Sequence, residues 1–434
     1  METYFQSLIR FGIKPGLERI SFLLSALGHP ERRFASVHIA GTNGKGSVTA
    51  ILSRVLLESG FSVGRFTSPH LHSYRERYVT GESMIEAGEL MELIGRVQPA
   101  VAECQSHTGE MPTEFEILTA VGFLYFAEKN VDIAVIEAGM GGLYDSTNVL
   151  TPVVSVITNV DADHLAYLGP KLEDVARNKA GIARQGVPLL YGRKDDPVWP
   201  VIQAEAGRLG ARAQLAADQV RVTPLDAFGP EGTLLEYQSL SFSGGPIRFA
   251  LPGTYQIENL TTALAALDVI CAAGFSVNQA ALERGLGLVK WPGRMEVIPG
   301  SVPIVLDCAH NPAGAAALAD SLRRMFPNGK RIMVIGILDD KEAVPVLETL
   351  AEDTRYCIVT RPDSDRAAGW FARIAEAKQA GMATEGIESI EKAVAQALRA
   401  AQPGEYIVVT GSFYTLDRAR KYLLALNDKN LTCR

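Results

Sequence analysis

The sequence predicts an α/β protein of two domains, an N-terminal one of the P-loop type with a mostly parallel sheet and a smaller C-terminal one of Rossmann-like architecture. Short continuous apolar segments, which are typical of strands covered on both faces, alternate with longer segments of helical periodicity. A Gly-rich loop joins one of these strands to a helix, and a second alternating series begins near residue 300. Because Trp, Pro and Gly interrupt the pattern over 290–301, we predict domains 1–296 and 297–434.

Apolar runs and helical segments define the first domain. The predicted strands are 34–40, 61–66, 131–139, 152–160 and 187–192, and the predicted helices are 47–60, 84–105, 114–129, 171–184, 256–273 and 277–287. Residues 211–252 alternate between polar and apolar types and are rich in Gly and Pro. We therefore expect antiparallel hairpins there, at the edge of the first domain.

The second domain repeats the alternation over a shorter length. Its predicted strands are 303–309, 331–337, 356–360 and 405–410, and its predicted helices are 312–326, 340–351, 366–379, 388–401 and 414–426. Parallel strands joined by helices bind ligands beyond their carboxyl ends, so residues that follow strands are the first candidates for function in both domains.

Composition excludes several classes of protein. The formal net charge is −7, from 42 Lys and Arg against 49 Asp and Glu, which gives no overall attraction for nucleic acid or an anionic membrane. The five cysteines lack CxxC spacing, which argues against a disulfide framework and a zinc ribbon. The N-terminus has no apolar segment of a signal peptide, and no segment approaches the ~18–20 apolar residues of a membrane span. We expect a cytoplasmic protein and, because no exposed heptad pattern predicts a dimer, a monomer.

The loop GTNGKGS (41–47) is the strongest single feature. Its glycines allow backbone N–H groups to form a concave anion-binding nest, and the following helix adds a partial positive charge. Lys45 provides a point charge for phosphates, and the Ser47 hydroxyl can assist. A Gly-rich turn with a surface lysine is the alternative, but the strand–loop–helix context favours nucleotide binding. The candidate ATP-binding residues of the loop are Thr42, Asn43, Gly44, Lys45, Gly46 and Ser47.

The spacing differs from the general pattern GxxxxGK[ST]. Ile39 stands five positions before Gly44, and Gly46 separates Lys45 from Ser47. This disfavours a standard kinase, GTPase or transport ATPase.

Further motifs follow in a characteristic order along nearly the whole chain. They are HIAGTNGKGS, FTSPHLHSYRERYVTG (66–81), TEFEILTA (113–120), VIEAGMGGLYDSTNV (135–149), ITNVDADHLAYLG (157–169), NKAGI (178–182), GTYQIEN (253–259), WPGRMEVI (291–298), LDCAHNPAG (306–314), GILDDK (336–341) and TGSFY (410–414). With these motifs the sequence resembles the Mur ligase superfamily and, within it, the folylpolyglutamate synthase/dihydrofolate synthase family. It departs from that family at Asn178, where many members carry Glu, at Leu143-Tyr144 and in the polar VDADH segment.

The resemblance implies that ATP converts a carboxylate into an acyl phosphate, which an amine then attacks. It implies a first Mg²⁺ on Ser68, Glu137 and His164, and a second on a carbamylated Lys179. Lys45, Glu137, His164 and Lys179 are the implied catalytic residues. From local sequence alone, Ser68 could be a turn residue, His164 a loop histidine and Lys179 a solvated lysine.

Substrate contacts follow from the same resemblance. The adenine and ribose of ATP are expected at Asn259, Arg294, Asp307 and His310. Dihydropteroate or folate is expected at the loop 66–81, with Phe66, His70, Tyr74, Arg75 and Arg77 as candidates for stacking and carboxylate pairing. L-Glutamate is expected on the second domain, where Arg366 and Ser412 are candidates without an assigned role.

Three alternatives remain open at the level of sequence. A peptidoglycan ligase with a UDP-sugar substrate would carry an additional N-terminal domain of about a hundred residues, whereas the loop here starts at Gly41. A catalytically silent ATP-binding relative is disfavoured because the charged side chains of the site are retained. Within the family, the enzyme could add glutamate to dihydropteroate, extend folate, or do both, and we expect both.

Overall fold

Contacts divide the chain into two compact units, and the computed structural model describes residue 12 and residues 14–432. The first unit takes the described residues up to Thr223 with Leu235–Arg248 and Ile257–Val289, and the second takes Pro224–Leu234, Phe249–Gln256 and the described residues from Lys290 onward. The domain boundary between residues 296 and 297 stays a prediction. Most of the N-terminal residues considered for a signal peptide lie outside the described part, as does Cys433.

The sheet of the first unit has eight strands in the order β4-β3-β2-β5-β1-β6-β7-β8. These are β1 (Ala35–Ala40), β2 (Val63–Phe66), β3 (Tyr78–Thr80), β4 (Ser83–Met84), β5 (Ile133–Glu137), β6 (Val154–Ile157), β7 (Leu189–Tyr191) and β8 (Ala213–Leu215). Neighbours from β2 to β8 are parallel, whereas β3 and β4 extend one edge in antiparallel pairing. β1 lies between β5 and β6, so the segments that follow these three strands meet at one sheet edge.

Helices cover both faces of this sheet. They are α1 (Glu18–Ala26), α2 (Lys45–Glu58), α3 (Ala87–Thr108), α4 (Glu114–Glu128), α5 (Leu165–Leu168), α6 (Leu172–Ala180), α7 (Trp199–Arg208), α8 (Tyr255–Ala272, in this unit from Ile257) and α9 (Gln279–Leu288). α4 is apolar on all sides because it is packed between other elements, and its N-terminus is closed by a capping box of Thr113 and Glu116. α1, α3 and α4 share one hydrophobic cluster, and α6 and α7 share another.

The prediction of antiparallel hairpins over residues 211–252 was wrong for β8, whereas Ser239 N donates to Phe242 O at 2.7 Å across a two-residue turn further along the segment, as a hairpin requires. β8 pairs in parallel with β7, because the helix α7 between them forms a crossover connection. The remaining strands, β9 (Arg221–Pro224), β10 (Thr233–Gln238) and β11 (Ser243–Phe249), form a separate three-stranded sheet in the order β11-β10-β9. Alternation of polar and apolar residues therefore identified strands here but not the sheet to which they belong.

The second unit contains a six-stranded sheet in the order β12-β13-β17-β14-β15-β16. Its elements are β12 (Glu296–Ile298), β13 (Ile304–Leu306), α10 (Pro312–Met325), β14 (Arg331–Ile335), α11 (Ala343–Ala351), β15 (Thr354–Val359), α12 (Ala372–Gln379), β16 (Thr384–Gly386), α13 (Ile390–Ala400), β17 (Tyr406–Thr410) and α14 (Phe413–Thr432). Only the edge strand β12 is antiparallel to its neighbour, and the other pairs are parallel. A third hydrophobic cluster fills this unit.

Two findings bear on the compositional predictions. Among the described residues, no helix combines the length and the apolar character that crossing a membrane requires. The described cysteines, Cys104, Cys271, Cys308 and Cys357, are all free thiols.

A histidine lies inside the central strand. His38 of β1 has no exposed surface, and its Nε2 lies 2.8 Å from Thr147 Oγ1. The Thr147 hydroxyl donates to Asp145 Oδ1 at 2.5 Å, so the ring nitrogen donates to Thr147. Burial, and then the positive charge of Arg184, lower the pKa of His38 to about 3. The ring is therefore neutral in the folded protein.

We expect the stability of the fold to fall as the pH falls through the range set by this histidine. In the unfolded chain His38 takes up a proton near pH 6.5, whereas the folded protein resists it until about pH 3. The free energy of unfolding should therefore decrease between these values, by up to about 5 kcal/mol. His38→Gln, which keeps a donor for Thr147 but does not titrate, should lack this component. Urea unfolding of both proteins at several pH values between 6.5 and 4 measures it, and a pH-independent difference between them would contradict the assignment.

Candidate active site

The Gly-rich loop lies at the carboxyl end of β1, between this strand and α2. Gly41 and Gly44 have positive φ angles of 147° and 84°. A Cβ at Gly41 would overlap Thr158 Oγ1, and one at Gly44 would overlap Asn259 Oδ1. Both positions therefore require glycine for conformation and for space.

The segment after β6 anchors this loop. Thr42 N donates to Asn159 O at 3.0 Å, and Asn43 N donates to Asn159 Oδ1 at 2.9 Å. In return, Thr158 Oγ1 donates to Asn43 O at 2.6 Å. Because these bonds fix its backbone, the loop has a defined shape that a ligand does not have to impose.

The first turn of α2 carries two of the predicted groups. Lys45 Nζ donates to Gly41 O at 3.0 Å and to Thr42 O at 3.2 Å, so the ammonium lies against the loop. Ser47 is 1% exposed, and its Oγ has no hydrogen-bond partner. Buried hydroxyls are nearly always satisfied, so an unsatisfied one beside a cationic loop fits a phosphate or a hydrated cation as its partner.

A carboxylate and a second hydroxyl lie at the same sheet edge. Glu137 is the last residue of β5 and pairs in register with Ile39 of β1. It is 5% exposed, and its Oε2 accepts a hydrogen bond from Ser68 N at 3.2 Å. Ser68 Oγ is also buried and has no hydrogen-bond partner. A carboxylate and a hydroxyl are suitable oxygen ligands for Mg²⁺, so the residues present fit a divalent ion.

His164 lies on the same anchoring segment, at the start of α5. It has a positive φ of 54°, and its side chain is 39% exposed. Its backbone N donates to Asp163 Oδ1 at 2.9 Å. The described part of the chain contains no group of three or more His, Cys, Asp and Glu side chains placed to hold a metal. A cation here would thus depend on hydroxyl, phosphate or water oxygens as well.

Lys179, on α6, is buried with 3% exposure. Burial, and then the positive charge of Lys45, lower its pKa to about 7, although Asp163, Asp161 and Asp145 oppose this shift. The mutual effect of the two lysines means that both belong to one electrostatic environment. Near neutral pH a large fraction of the Lys179 amine is uncharged, and this is the nucleophilic form that can react with carbon dioxide.

The loop 66–81 is tied together internally. Glu76 accepts hydrogen bonds from the backbone N of residues 71, 72 and 73. Arg77 Nε donates to His70 Nδ1 at 3.0 Å, and the guanidinium lies 5.4 Å from the centre of the Tyr74 ring. Tyr74 in turn donates to Glu114 Oε1 at 2.7 Å.

Two candidates of this loop are occupied elsewhere. Arg75 donates to Ile85 O at 2.5 Å and pairs with Glu86. Phe66 has no exposed surface and packs against Tyr78 and Phe115 in the core, so it offers no face for a ligand ring.

The candidates for adenine and ribose divide between the units. Asn259 lies beside Gly44 in the first unit. In the second unit, Asp307 follows β13 and accepts hydrogen bonds from Tyr255 Oη, Met295 N and Ala309 N at 2.8 to 2.9 Å. Arg294 lies 5.0 Å from the centre of the Phe413 ring, and His310 Nδ1 donates to Cys308 O at 2.8 Å.

The two candidates for glutamate binding already have partners. Arg366 forms an ion pair with Asp340 on the surface of the second unit. Ser412 is buried and accepts a hydrogen bond from Thr415 N at 3.2 Å, as a cap of α14.

Sequence reasoning missed the residues that hold the phosphate loop. Thr158, Asn159 and Asp161 lie in the quoted motif 157–169, where only His164 was selected. Arg193, which pairs with Asp161, lies in no motif, and its only signal was its position just after β7.

Comparison with known proteins places this geometry in a family. The Mur ligase middle domain matches residues 39–267, and the domain described as "Mur ligase, glutamate ligase domain" matches residues 293–413. The chain belongs to the Mur ligase family. Its predicted α/β architecture, with a large mostly parallel N-terminal sheet and a separate C-terminal sheet, is confirmed by the solved relatives.

Relatives align with this Mur ligase family member over nearly the whole length of both chains. A dihydrofolate synthase/folylpolyglutamate synthase of Bacillus subtilis is 33% identical over 97% of this chain and 98% of the relative. The structure of a Mycobacterium tuberculosis folylpolyglutamate synthase complexed with ADP and AMPPCP has a TM-score of 0.89 and 32% identity, and covers 97% of this chain and 98% of that one. The structure of a bifunctional folylpolyglutamate synthase/dihydrofolate synthase with Mn, AMPPNP and L-glutamate bound has a TM-score of 0.84 and 26% identity, and covers 98% of this chain and 98% of that one. This Mur ligase family member is an ATP-dependent ligase.

Gly44→Ala should weaken nucleotide binding. The added Cβ meets Asn259 Oδ1, and alanine is strained at a φ of 84°, so the loop has to shift. We expect the Kd for Mg-AMPPNP, measured by titration calorimetry, to rise about tenfold or more. Gly207→Ala is the matched control, since Gly207 lies on α7 with open space around its Cβ position. Equal affinities of the two variants would show that the loop conformation does not matter.

Proposed function

We propose that this ligase joins L-glutamate to dihydropteroate, to the γ-carboxylate of a tetrahydrofolate, or to both, with cleavage of ATP to ADP and phosphate. The observation that carries the proposal is the meeting of Lys45, the unsatisfied Ser47 hydroxyl and the Ser68–Glu137 pair at one sheet edge. Relatives named for this activity align with the chain over nearly its whole length, which supports the choice of substrates.

The chemistry needs a site that brings anions together. A carboxylate is a poor electrophile, so its oxygen first attacks the γ-phosphorus of ATP, which releases ADP and leaves an acyl phosphate. The amine of glutamate then attacks the acyl carbon, the C–O bond to phosphate breaks, and the nitrogen loses a proton. Lys45 and the backbone N–H groups of the loop would hold the phosphates throughout, because their positive charge offsets the repulsion between the reacting anions.

The ligands of the divalent ion are the second part of the proposal. Ser68, Glu137 and His164 would hold Mg²⁺, which when bound neutralises charge on the transferred phosphoryl group. We also propose a second ion, held by a carbamylated Lys179. The lowered pKa of the Lys179 amine, about 7, supports this modification because carbon dioxide reacts with uncharged amines.

Further contacts complete the proposed active site. Asn259, Arg294, Asp307 and His310 would contact the adenine and ribose, and the second unit would bind glutamate. His70, Tyr74 and Arg77 would form the substrate-facing part of loop 66–81, because they pack as one group and each keeps some exposed surface, whereas Phe66 is left out because it has none. We propose that the enzyme acts as a monomer.

An assay of ADP release tests the proposal. With ATP, Mg²⁺ and glutamate, release should depend on dihydropteroate or on tetrahydrofolate, and parallel rates with the two acceptors decide between the activities. Lys45→Ala should lower turnover by about 10²-fold or more, because a charge on the phosphates is lost. Lys129→Ala is the control, since Lys129 is a surface residue paired with Glu89 at 2.8 Å. Release that needs neither acceptor nor glutamate would refute the proposed function.

Lys179→Ala tests the carbamate. We expect a loss of activity of about 10²-fold or more and partial recovery with short carboxylic acids, which replace the missing carboxylate. Lys171→Ala, at an exposed position just before the same helix, should retain activity with or without the acids. Full activity of Lys179→Ala without added acid would contradict the modification.

A further inference from the structure

A carboxylate contacts the phosphate loop directly. Asp161 N donates to Thr42 Oγ1 at 2.9 Å, and that hydroxyl lies 3.2 Å from Asp161 O. Asn43 Nδ2 donates to Asp161 Oδ2 at 3.4 Å. Asp161 thus binds two residues of the loop, Thr42 and Asn43. It also places a negative charge beside a site that is proposed to bind a triphosphate.

Arg193 neutralises this charge. Its guanidinium donates to both oxygens of Asp161, at 2.7 and 3.1 Å, in the bidentate geometry that orients a carboxylate most firmly. The sheet brings the two residues together, because Gly192 N donates to Ile157 O and so the segments after β6 and β7 are adjacent.

The surroundings of Arg193 are acidic. Asp196 Oδ2 lies 3.7 Å from the guanidinium, and Glu258 interacts with Arg193, Asp161 and Asp196. Burial raises the pKa of Glu258. Burial lowers the pKa of Arg193, but the hydrogen bond and charge of Asp161 more than offset this, and the net shift is upward. Three carboxyl groups therefore surround one guanidinium, and of these Asp196 also accepts hydrogen bonds from Tyr191 Oη at 2.5 Å and Val198 N at 3.1 Å.

We propose that Arg193 is a positioning residue for the nucleotide, which masks the charge of Asp161 and holds this carboxylate in the orientation that fixes Thr42 and Asn43. The proposal rests on the proposed function, since it assumes that the loop binds the phosphates of ATP. It predicts that loss of Arg193 weakens nucleotide binding because the Asp161 carboxylate is then unpaired, and not because a contact with ATP is lost.

A double-mutant cycle separates these two causes. The Kd for Mg-AMPPNP is measured by titration calorimetry for the wild type, Arg193→Met, Asp161→Asn and the double variant. We expect the Kd of Arg193→Met to be about tenfold higher than that of the wild type, or more. The double variant should bind at least about threefold more tightly than Arg193→Met, because no unpaired carboxylate then lies beside the phosphates. The effect of Arg193→Met should shrink at higher ionic strength.

Two outcomes would overturn the proposal. If the double variant binds as weakly as Arg193→Met, the guanidinium contacts the nucleotide itself. If Arg193→Met binds as tightly as the wild type, the pair has no role in positioning. A wild-type protein that binds no nucleotide would refute the proposed function instead, so the two failures are distinguishable.

Kinetics and conservative variants complete the test. KM for MgATP should rise in Arg193→Met, whereas KM for glutamate should not change. Arg193→Lys, which keeps the charge but loses the bidentate fork, should bind better than Arg193→Met, and it serves as the second variant if Arg193→Met does not fold. Arg208→Met, which breaks only a surface pair with Glu205, should match the wild type in both measurements. Equal binding by Arg193→Lys and Arg193→Met would show that charge masking is not involved.

Discussion

The hydrogen bonds between the phosphate loop and the segment after β6 are the interactions on which the rest of the site depends. The loop joins two regular elements, but its glycines leave its backbone free to adopt many conformations. Thr158 and Asn159 remove this freedom by binding both the N–H and the C=O groups of Asn43. Because β1, β5 and β6 are adjacent, the same arrangement brings Glu137 and His164 to the loop's edge of the sheet.

The candidate site contains charged groups of both signs, and burial reduces the positive charge of one of them. Lys45 lies against the loop carbonyls, whereas Lys179 is buried and loses much of its charge near neutral pH. Asp145, whose charge acts on Lys179, is buried as well, and burial raises its pKa, although hydrogen bonds from Thr147 and nearby backbone N–H groups oppose this. The free protein therefore offers little positive charge where the phosphates are proposed to bind, which fits the divalent ion proposed there.

Local signals were sufficient for much of the fold. The strand β1, the loop and the start of α2 could be predicted because an apolar run, glycine spacing and helical periodicity occur within a few residues of each other. The short strands β3, β4, β12 and β16 could not, since two or three residues cannot establish a period. The helix α7 was also missed, and with it the parallel pairing of β8, because sheet membership depends on the connection and not on the strand itself.

The candidate site shows the same limit at the level of side chains. Glu137 ends an apolar strand, so its position indicated it, whereas Ser68 was indicated only by the family resemblance. Phe66 is the last residue of β2, the strand that precedes Ser68, but alternation along β2 turns its ring into the core, which a motif cannot reveal. The pair of Asp161 and Arg193 joins two loops through a contact that exists only once β6 and β7 are paired. Residues that are proposed to touch a ligand were therefore accessible to motif reasoning, whereas those that hold these residues in place required the folded sheet.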